Sequence, residues 1–294
     1  MTPDQYCAEK TAASGSSFSI SFRFLSDERR RAITALYAFC REVDDVVDEC
    51  RDEAIARKKL AWWREEVVRL YHDAPQHPVT LALKPSTDTY ELAEEHFIAI
   101  IDGMEMDLDR NRYANFTDLS LYCYRAASVV GLLAAAIFGL EDRRTLDYAH
   151  DLGMAFQLTN ILRDVKEDGE RNRIYLPQDE LAQFGVSEED ILQGRETPQM
   201  KQLFAFQAER AESFYQKAMA ALPEGDRYRQ LSGLIMSAVY HATLQAIIER
   251  DYPVMQGRVR LPTWKKLLLV LRCLYQEKRR YRKNLRSGLV KPQA

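Results

Sequence analysis

Two short stretches of the chain carry acids at the spacing of a helix face. In YAFCREVDDVVDE, residues 37–49, Tyr37, Arg41, Asp44 and Asp48 follow one another at intervals of four, three and four. In QLTNILRDVKED, residues 157–168, Gln157, Asn160, Asp164 and Asp168 follow at intervals of three, four and four. On an α-helix each set lies on one face. The rest of each helix is apolar: Leu36, Phe39, Val43 and Val47 around the first set, Leu158, Ile161, Leu162 and Val165 around the second. Polar stripes on such helices face a cavity more readily than bulk water.

A single acid pair four residues apart is an ordinary solvated face. Two copies with similar neighbours ask for more, because like charges at that spacing repel and carboxylates beside apolar surface lose hydration. A cation is the natural remedy. Magnesium takes oxygen ligands in octahedral geometry, usually one or two carboxylates plus substrate phosphates, so Asp44, Asp48, Asp164 and Asp168 are the expected ligands of several magnesium ions around a diphosphate. Arg23, Arg41, Arg163, Arg171 and Arg173 lie near the two stretches and supply planar donor forks that match phosphate oxygens.

Between the acid stretches, YCYRAASVVG (residues 122–131) places Tyr122, Ala126 and Val130, with Ala127 and Gly131 beside them, on one broad helical stripe. Small side chains there either let two helices approach closely or leave a slot for a long hydrocarbon, and the stripe by itself allows both. Tyr37, Tyr122 and Tyr240 are compatible with core phenols as well as with site residues.

The elements that must position these groups read as helices throughout, since no stretch alternates long enough for a sheet. The expected helices span 26–50, 52–73, 88–109, 117–138, 141–168, 197–222, 227–250 and 262–285. Pro75, Pro78 and Pro85 mark one break, Asp168-Gly169, Pro177 and Gly185 others, and Pro253 and Pro262 a last one. No linker or fixed-period repeat divides the chain, so an all-α single domain over 1–294 is expected. With 46% hydrophobic and 29% charged residues, the composition is that of an ordinary globular protein. The five cysteines show no C-x-x-C spacing, which suggests neither a disulfide framework nor a zinc site. The N-terminus lacks a signal-peptide pattern, and a cytoplasmic location is expected.

Charge is unevenly spread. Residues 264–294 hold ten Lys/Arg against the single acid Glu277, leaving about −12 on the rest. Interleaved Trp264, Leu267, Leu268, Leu269, Leu271, Leu274 and Tyr275 give the basic segment 262–294 the make-up of an amphipathic helix. It suits peripheral contact with an anionic membrane, or a packed terminal helix with a solvated basic end. Nucleic acid is not an expected partner.

Taken together, SGSSF (14–18), the two acid stretches, the 122–131 motif and the continuation GERNRIYLP (169–177) resemble the squalene and phytoene synthase family, in its order and spacing, from about Tyr6 to 258–260. The resemblance implies an isoprenoid synthase fold, a helical bundle around a central cavity, in which the four aspartates bind two prenyl diphosphates through magnesium. It places Ser17, Tyr37, Arg41, Gln157, Asn160, Arg163, Arg173 and Arg258 at diphosphate or metal, and Tyr122 as a cavity tyrosine of the first reaction step. Phe18, Ala126, Ala127, Val130, Gly131 and Leu158 would line the prenyl tunnel, with Tyr240 also a substrate contact. Two positions depart from the common pattern: Gly15 stands where many members have serine, and Ser128 where glycine is frequent. GSSF followed by ERRRAITALYAFCREVDD (28–45) most resembles the bacterial presqualene diphosphate synthases of hopanoid biosynthesis. The implied reaction joins two farnesyl diphosphates head to head with loss of one diphosphate, with no NADPH requirement for the presqualene step; the alternatives within the family are phytoene, dehydrosqualene or squalene synthesis. The competing di-iron reading needs two E-x-x-H motifs, and the chain has none. A non-enzymatic membrane-docking scaffold would leave the paired acid stretches unexplained.

Overall fold

The computed structural model describes residues 1–13, 21–50 and 52–290, and every regular element among them is helical. In chain order these are α1 (Pro3–Ala13), α2 (Asp27–Glu49), α3 (Glu53–Tyr71), α4 (Pro78–Thr89), α5 (Glu94–Asp109), α6 (Phe116–Phe138), α7 (Arg144–Glu170), α8 (Gln178–Phe184), α9 (Glu188–Leu192), α10 (Pro198–Ala221), α11 (Glu224–Arg227), α12 (Leu231–Glu249) and α13 (Thr263–Arg286). The all-α expectation holds. Helix starts carry recognisable caps: the side chains of Asp52, Asn115, Ser187 and Thr197 accept backbone N–H bonds from the first turns of α3, α6, α9 and α10.

The expected helix over 88–109 needs correction. It divides into α4 and α5, and the proline-rich stretch read as a break is itself helical. Pro78 occupies the first turn, where its missing N–H costs nothing. Pro85 lies inside the helix, on the solvent side together with Leu81, so water can take the carbonyl bond that proline leaves open. Below this helix, the buried Glu66 carboxylate accepts from the backbone N–H of Gln76 and His77 and from Thr80 Oγ1, and pairs with Arg69. Helices α1, α8 and α9 were not expected either. They are short, and α1 has almost no amphipathic pattern to read.

Helix α6 takes part in two packed cores. Val129, Leu133 and Ile137 join a core built with Leu36 and Phe39 of α2, Trp63 of α3 and Phe97 and Ile101 of α5. Leu119 and Cys123 join a second core with Leu158 and Leu162 of α7, Phe204 and Tyr215 of α10 and Leu244 of α12. Helix α6 itself is interrupted by a widened π turn at Tyr124–Ser128. Such a turn inserts one residue into the α-helical count and rotates everything after it.

Glycines set the approach of α6 to α7. A Cβ on Gly153 would fall 2.5 Å from Ser128 Cα, and one on Gly131 would fall 2.6 Å from the Ala149 carbonyl oxygen. The Ser128 hydroxyl, buried, donates to the His150 carbonyl at 2.9 Å, so this departure from glycine serves the helix contact and not the cavity wall. On the opposite side, Gly103 of α5 admits Arg125, whose Cβ lies 2.9 Å from where a Gly103 Cβ would be.

Replacing Gly153 by alanine drives a methyl group into backbone atoms that no rotamer change can move. A loss of about 2–3 kcal/mol is expected, the upper part of the usual overpacking range, visible as a lowered melting temperature. Gly225→Ala, with nothing within 4 Å of the added carbon, should change stability by less than about 0.5 kcal/mol.

Candidate active site

Helix α2 presents Tyr37, Arg41, Asp44 and Asp48 along one face, and α7 presents Gln157, Asn160, Asp164 and Asp168. Arginines bind these acids within and between helices. Arg41 pairs with Asp44 and Asp45, and Arg163 grips Asp164 in a two-point fork at 2.7 and 2.5 Å. Three more come from connections: Arg171 and Arg173 each reach Asp48 Oδ1 at 3.3 Å, and Arg258 reaches Asp164 Oδ1 at 3.1 Å and Glu167 at 3.7 Å. Arg173 therefore ties the end of α7 to the acid stretch of α2.

A carboxylate not singled out from the sequence sits between the two stretches. Asp107, near the end of α5, accepts from Tyr175 at 2.8 Å and from Tyr122 at 3.1 Å. Burial pushes its pKa up to about 6, with Asp48 adding to the rise. Burial likewise raises Asp44 to about 6, with Asp48, Asp45 and Asp107 contributing and Arg41 opposing. Asp168 rises to about 7, again by burial first, then by Asp164 and Asp107 against Arg173 and Arg171. Arg173 is held above its ordinary value in spite of burial by Tyr175, Asp107 and Asp48. These mutual influences place acids of α2, α5 and α7 around one spot.

The tyrosine side of that spot is built by a docked turn. After α7, Asn172 adopts a left-handed conformation, φ 58°, which asparagine tolerates better than most residues. Ile174 N–H then bonds the Asn111 carbonyl at 3.0 Å and Gln178 N–H the Tyr113 carbonyl at 2.9 Å. This lays the 171–177 connection against the α5–α6 connection, bringing Arg173 and Tyr175 to Asp107. Tyr122 and Tyr175 stack with ring centres 5.0 Å apart.

Beneath the acids runs an apolar cavity of about 240 Å³. Tyr37 of α2, Gln157 and Asn160 of α7 and Tyr240 of α12 line it, each on the same face as the acids or opposite them. The acids, about one to three turns further along α2 and α7, thus stand at its mouth. Ala126, Ala127, Val130 and Gly131 form much of one wall, so the small-residue stripe both admits α7 closely and leaves the slot. Asn160 Oδ1 is buried with no hydrogen-bond partner, and a polar ligand or hydrated cation would satisfy it. Among the described residues no three acid, histidine or cysteine side chains form a closed metal cage. The carboxylates fit magnesium in the manner that leaves ligand positions to water and phosphate.

Two expectations are corrected here. Leu158 is not in the cavity wall: it is next to Gln157 on α7, about 100° around the helix, and is buried in the core. Tyr122 is not in the cavity wall either, because the π turn after it breaks the i, i+4 alignment with Ala126; it acts on the acids through Asp107. Ser17 and Phe18 lie outside the described residues. Among residues not foreseen, Phe22, Met236 and Phe138 also line the cavity. Asp107 and Tyr175 carried a faint signal, an acid at a helix end and a tyrosine in the stretch following the second acid motif. Arg23 is exposed.

The chain matches the squalene/phytoene synthase family model over residues 11–265. It is 35% identical over 280 residues to the phytoene synthase of Arthrospira platensis, covering 90% of each chain, and 34% identical to the 15-cis-phytoene synthase of Synechococcus elongatus, covering 89% of each. Among solved structures, a dehydrosqualene synthase superposes with a TM-score of 0.84 at 25% identity, over 94% of this chain and 96% of the other. Squalene synthase HpnC from Alicyclobacillus acidocaldarius superposes with a TM-score of 0.77 at 27% identity, over 85% and 94%.

Because the Asp168 carboxylate is crowded by other acids, Asp168→Asn removes repulsion together with ligand charge. Turnover of a prenyl diphosphate at saturating magnesium should fall at least about a hundredfold, in the range typical of lost transition-state electrostatics. The melting temperature of the metal-free protein at pH 8 should stay level or rise. Full activity in this variant would remove Asp168 from the metal site.

Proposed function

The chain belongs to the squalene/phytoene synthase family, and we propose from this that it joins two farnesyl diphosphates head to head into presqualene diphosphate, releasing one diphosphate in a magnesium-dependent reaction. The observation that supports metal-dependent release of diphosphate is the convergence of acids from α2, α5 and α7 with five arginines at the mouth of an apolar cavity. Asp44, Asp48, Asp164 and Asp168 would hold magnesium, which supplies charge neutralisation to the leaving diphosphate. Arg41, Arg163, Arg171, Arg173 and Arg258 are placed to bind its oxygens, stabilising charge where it develops.

Breaking the C–O bond of the first substrate yields diphosphate and an allylic cation. The walls formed by Ala126, Ala127, Val130, Gly131 and Phe156 exclude water that would quench it, and hold the second chain's double bond against it. Closing the cyclopropane ring releases one proton. It passes either to the diphosphate just released or into the hydrogen-bonded group of Tyr122, Asp107 and Tyr175. Tyr37 and Tyr240 stand where the cavity meets the arginines: Tyr240 interacts with Arg163, so it orients that guanidinium.

A second reading has its own support. The curated relatives described above are phytoene synthases, which favours joining two geranylgeranyl diphosphates through the same steps. The presqualene reading rests on the sequence resemblance of residues 15–45. Neither requires NADPH for the cyclopropyl diphosphate, whereas squalene would require hydride from a nicotinamide.

Mass spectrometry of reactions with farnesyl or geranylgeranyl diphosphate and magnesium distinguishes these readings. Presqualene diphosphate should accumulate from farnesyl diphosphate, and adding NADPH should not convert it to squalene. Phytoene formed from geranylgeranyl diphosphate with a higher kcat/KM, or abundant squalene with NADPH, would assign the chain to another branch of the family.

A further inference from the structure

Helix α13 takes no part in lining the cavity, yet its two faces are sharply different. The inner face is fixed to the bundle: Val270 and Cys273 are buried, Glu277 pairs with Arg227 at 2.8 and 2.9 Å, and Tyr281 stacks on Tyr228 with ring centres 4.4 Å apart. The outer face carries Trp264, Leu267, Leu268, Leu271 and Tyr275 at helical spacing, each 55–68% exposed. The same face continues into Lys278, Arg279, Arg282 and Arg286, all exposed and without an ion pair among the described residues. Over about 33 Å of helix, the surface changes from apolar to cationic.

A packed terminal helix with a solvated basic end accounts for the inner face and for the charge. It does not account for five large apolar side chains in water. We propose that the outer face of α13 docks the protein on an anionic lipid bilayer, with its apolar turns at the headgroup boundary and its basic turns on lipid phosphates. A second copy of the chain fits poorly there. Antiparallel pairing would lay apolar turns on basic ones, and parallel pairing would bring the basic ends together. The net negative charge of the remaining chain is repelled by the same lipid surface, which leaves α13 as the side that faces it. Trp264 follows Arg258 by six residues, so their backbones are at most about 22 Å apart. The apolar end of the docking face is thereby close to the mouth of the cavity, whichever prenyl chain it receives.

Co-sedimentation of the full chain with vesicles tests this, using phosphatidylcholine alone or mixed with phosphatidylglycerol. Retention should be at least about tenfold stronger on the anionic vesicles and should weaken with salt. The triple changes Leu267→Gln/Leu271→Gln/Tyr275→Gln and Lys278→Gln/Arg279→Gln/Arg282→Gln should each reduce it about tenfold, with the far-UV spectrum, the melting temperature and turnover in detergent kept. The proposal is overturned if the wild-type chain is not retained or if both variants bind as it does. It is equally overturned if the chain is a dimer in solution that the apolar variant splits, without vesicle binding in either form. None of these outcomes depends on the product of catalysis.

Discussion

Carboxylates from three helices, Asp44 and Asp48, Asp107, and Asp164 and Asp168, converge on one place, and their mutual repulsion is the constraint that the surrounding structure answers. Burial and neighbouring charge raise Asp44, Asp107 and Asp168 well above the ordinary carboxylate range. The compensating cations are distributed unequally. Arg41 and Arg163 come from the same helices as the acids they pair with, while Arg171, Arg173 and Arg258 arrive on connections. Helices make the acid positions rigid, and connections bring positive charge to them from outside.

Much of this was legible in residue spacing. The four polar positions on α2 and the four on α7 depend only on helical periodicity and an apolar remainder, which a sequence displays directly. Asp107 was not legible, because its importance comes from Tyr122 and Tyr175, contacts made across 15 and 68 residues. The side of the helix on which Leu158 falls could be read only once the cavity's direction along α7 was known. Pro85 misled for a different reason. Proline breaks a helix when its carbonyl partner is enclosed, and here that partner faces water.

The cavity depends on how close α6 comes to α7 and on how its own turns are wound. Gly131 and Gly153 bring the backbones together at two levels, and Ser128 ties them with a hydrogen bond between those levels. The alanines beside them leave space that larger side chains would fill. Small residues thus have two roles in one stripe: some remove the distance between helices, and their neighbours preserve an opening.

The π turn at Tyr124–Ser128 gives backbone winding, as distinct from residue identity, a structural meaning. Before it, α6 faces the tyrosine and acid cluster; from Ala126 onward, α6 faces the apolar cavity. Winding these same residues as an uninterrupted α-helix would swing one half of the helix by about 100° relative to the other. No single side chain would have been made unsuitable, yet Val130 and Gly131 would leave the wall or Tyr122 would leave Asp107. In this stretch the alignment of the two halves depends on how the turn is wound as well as on its side chains, even inside a continuous helix.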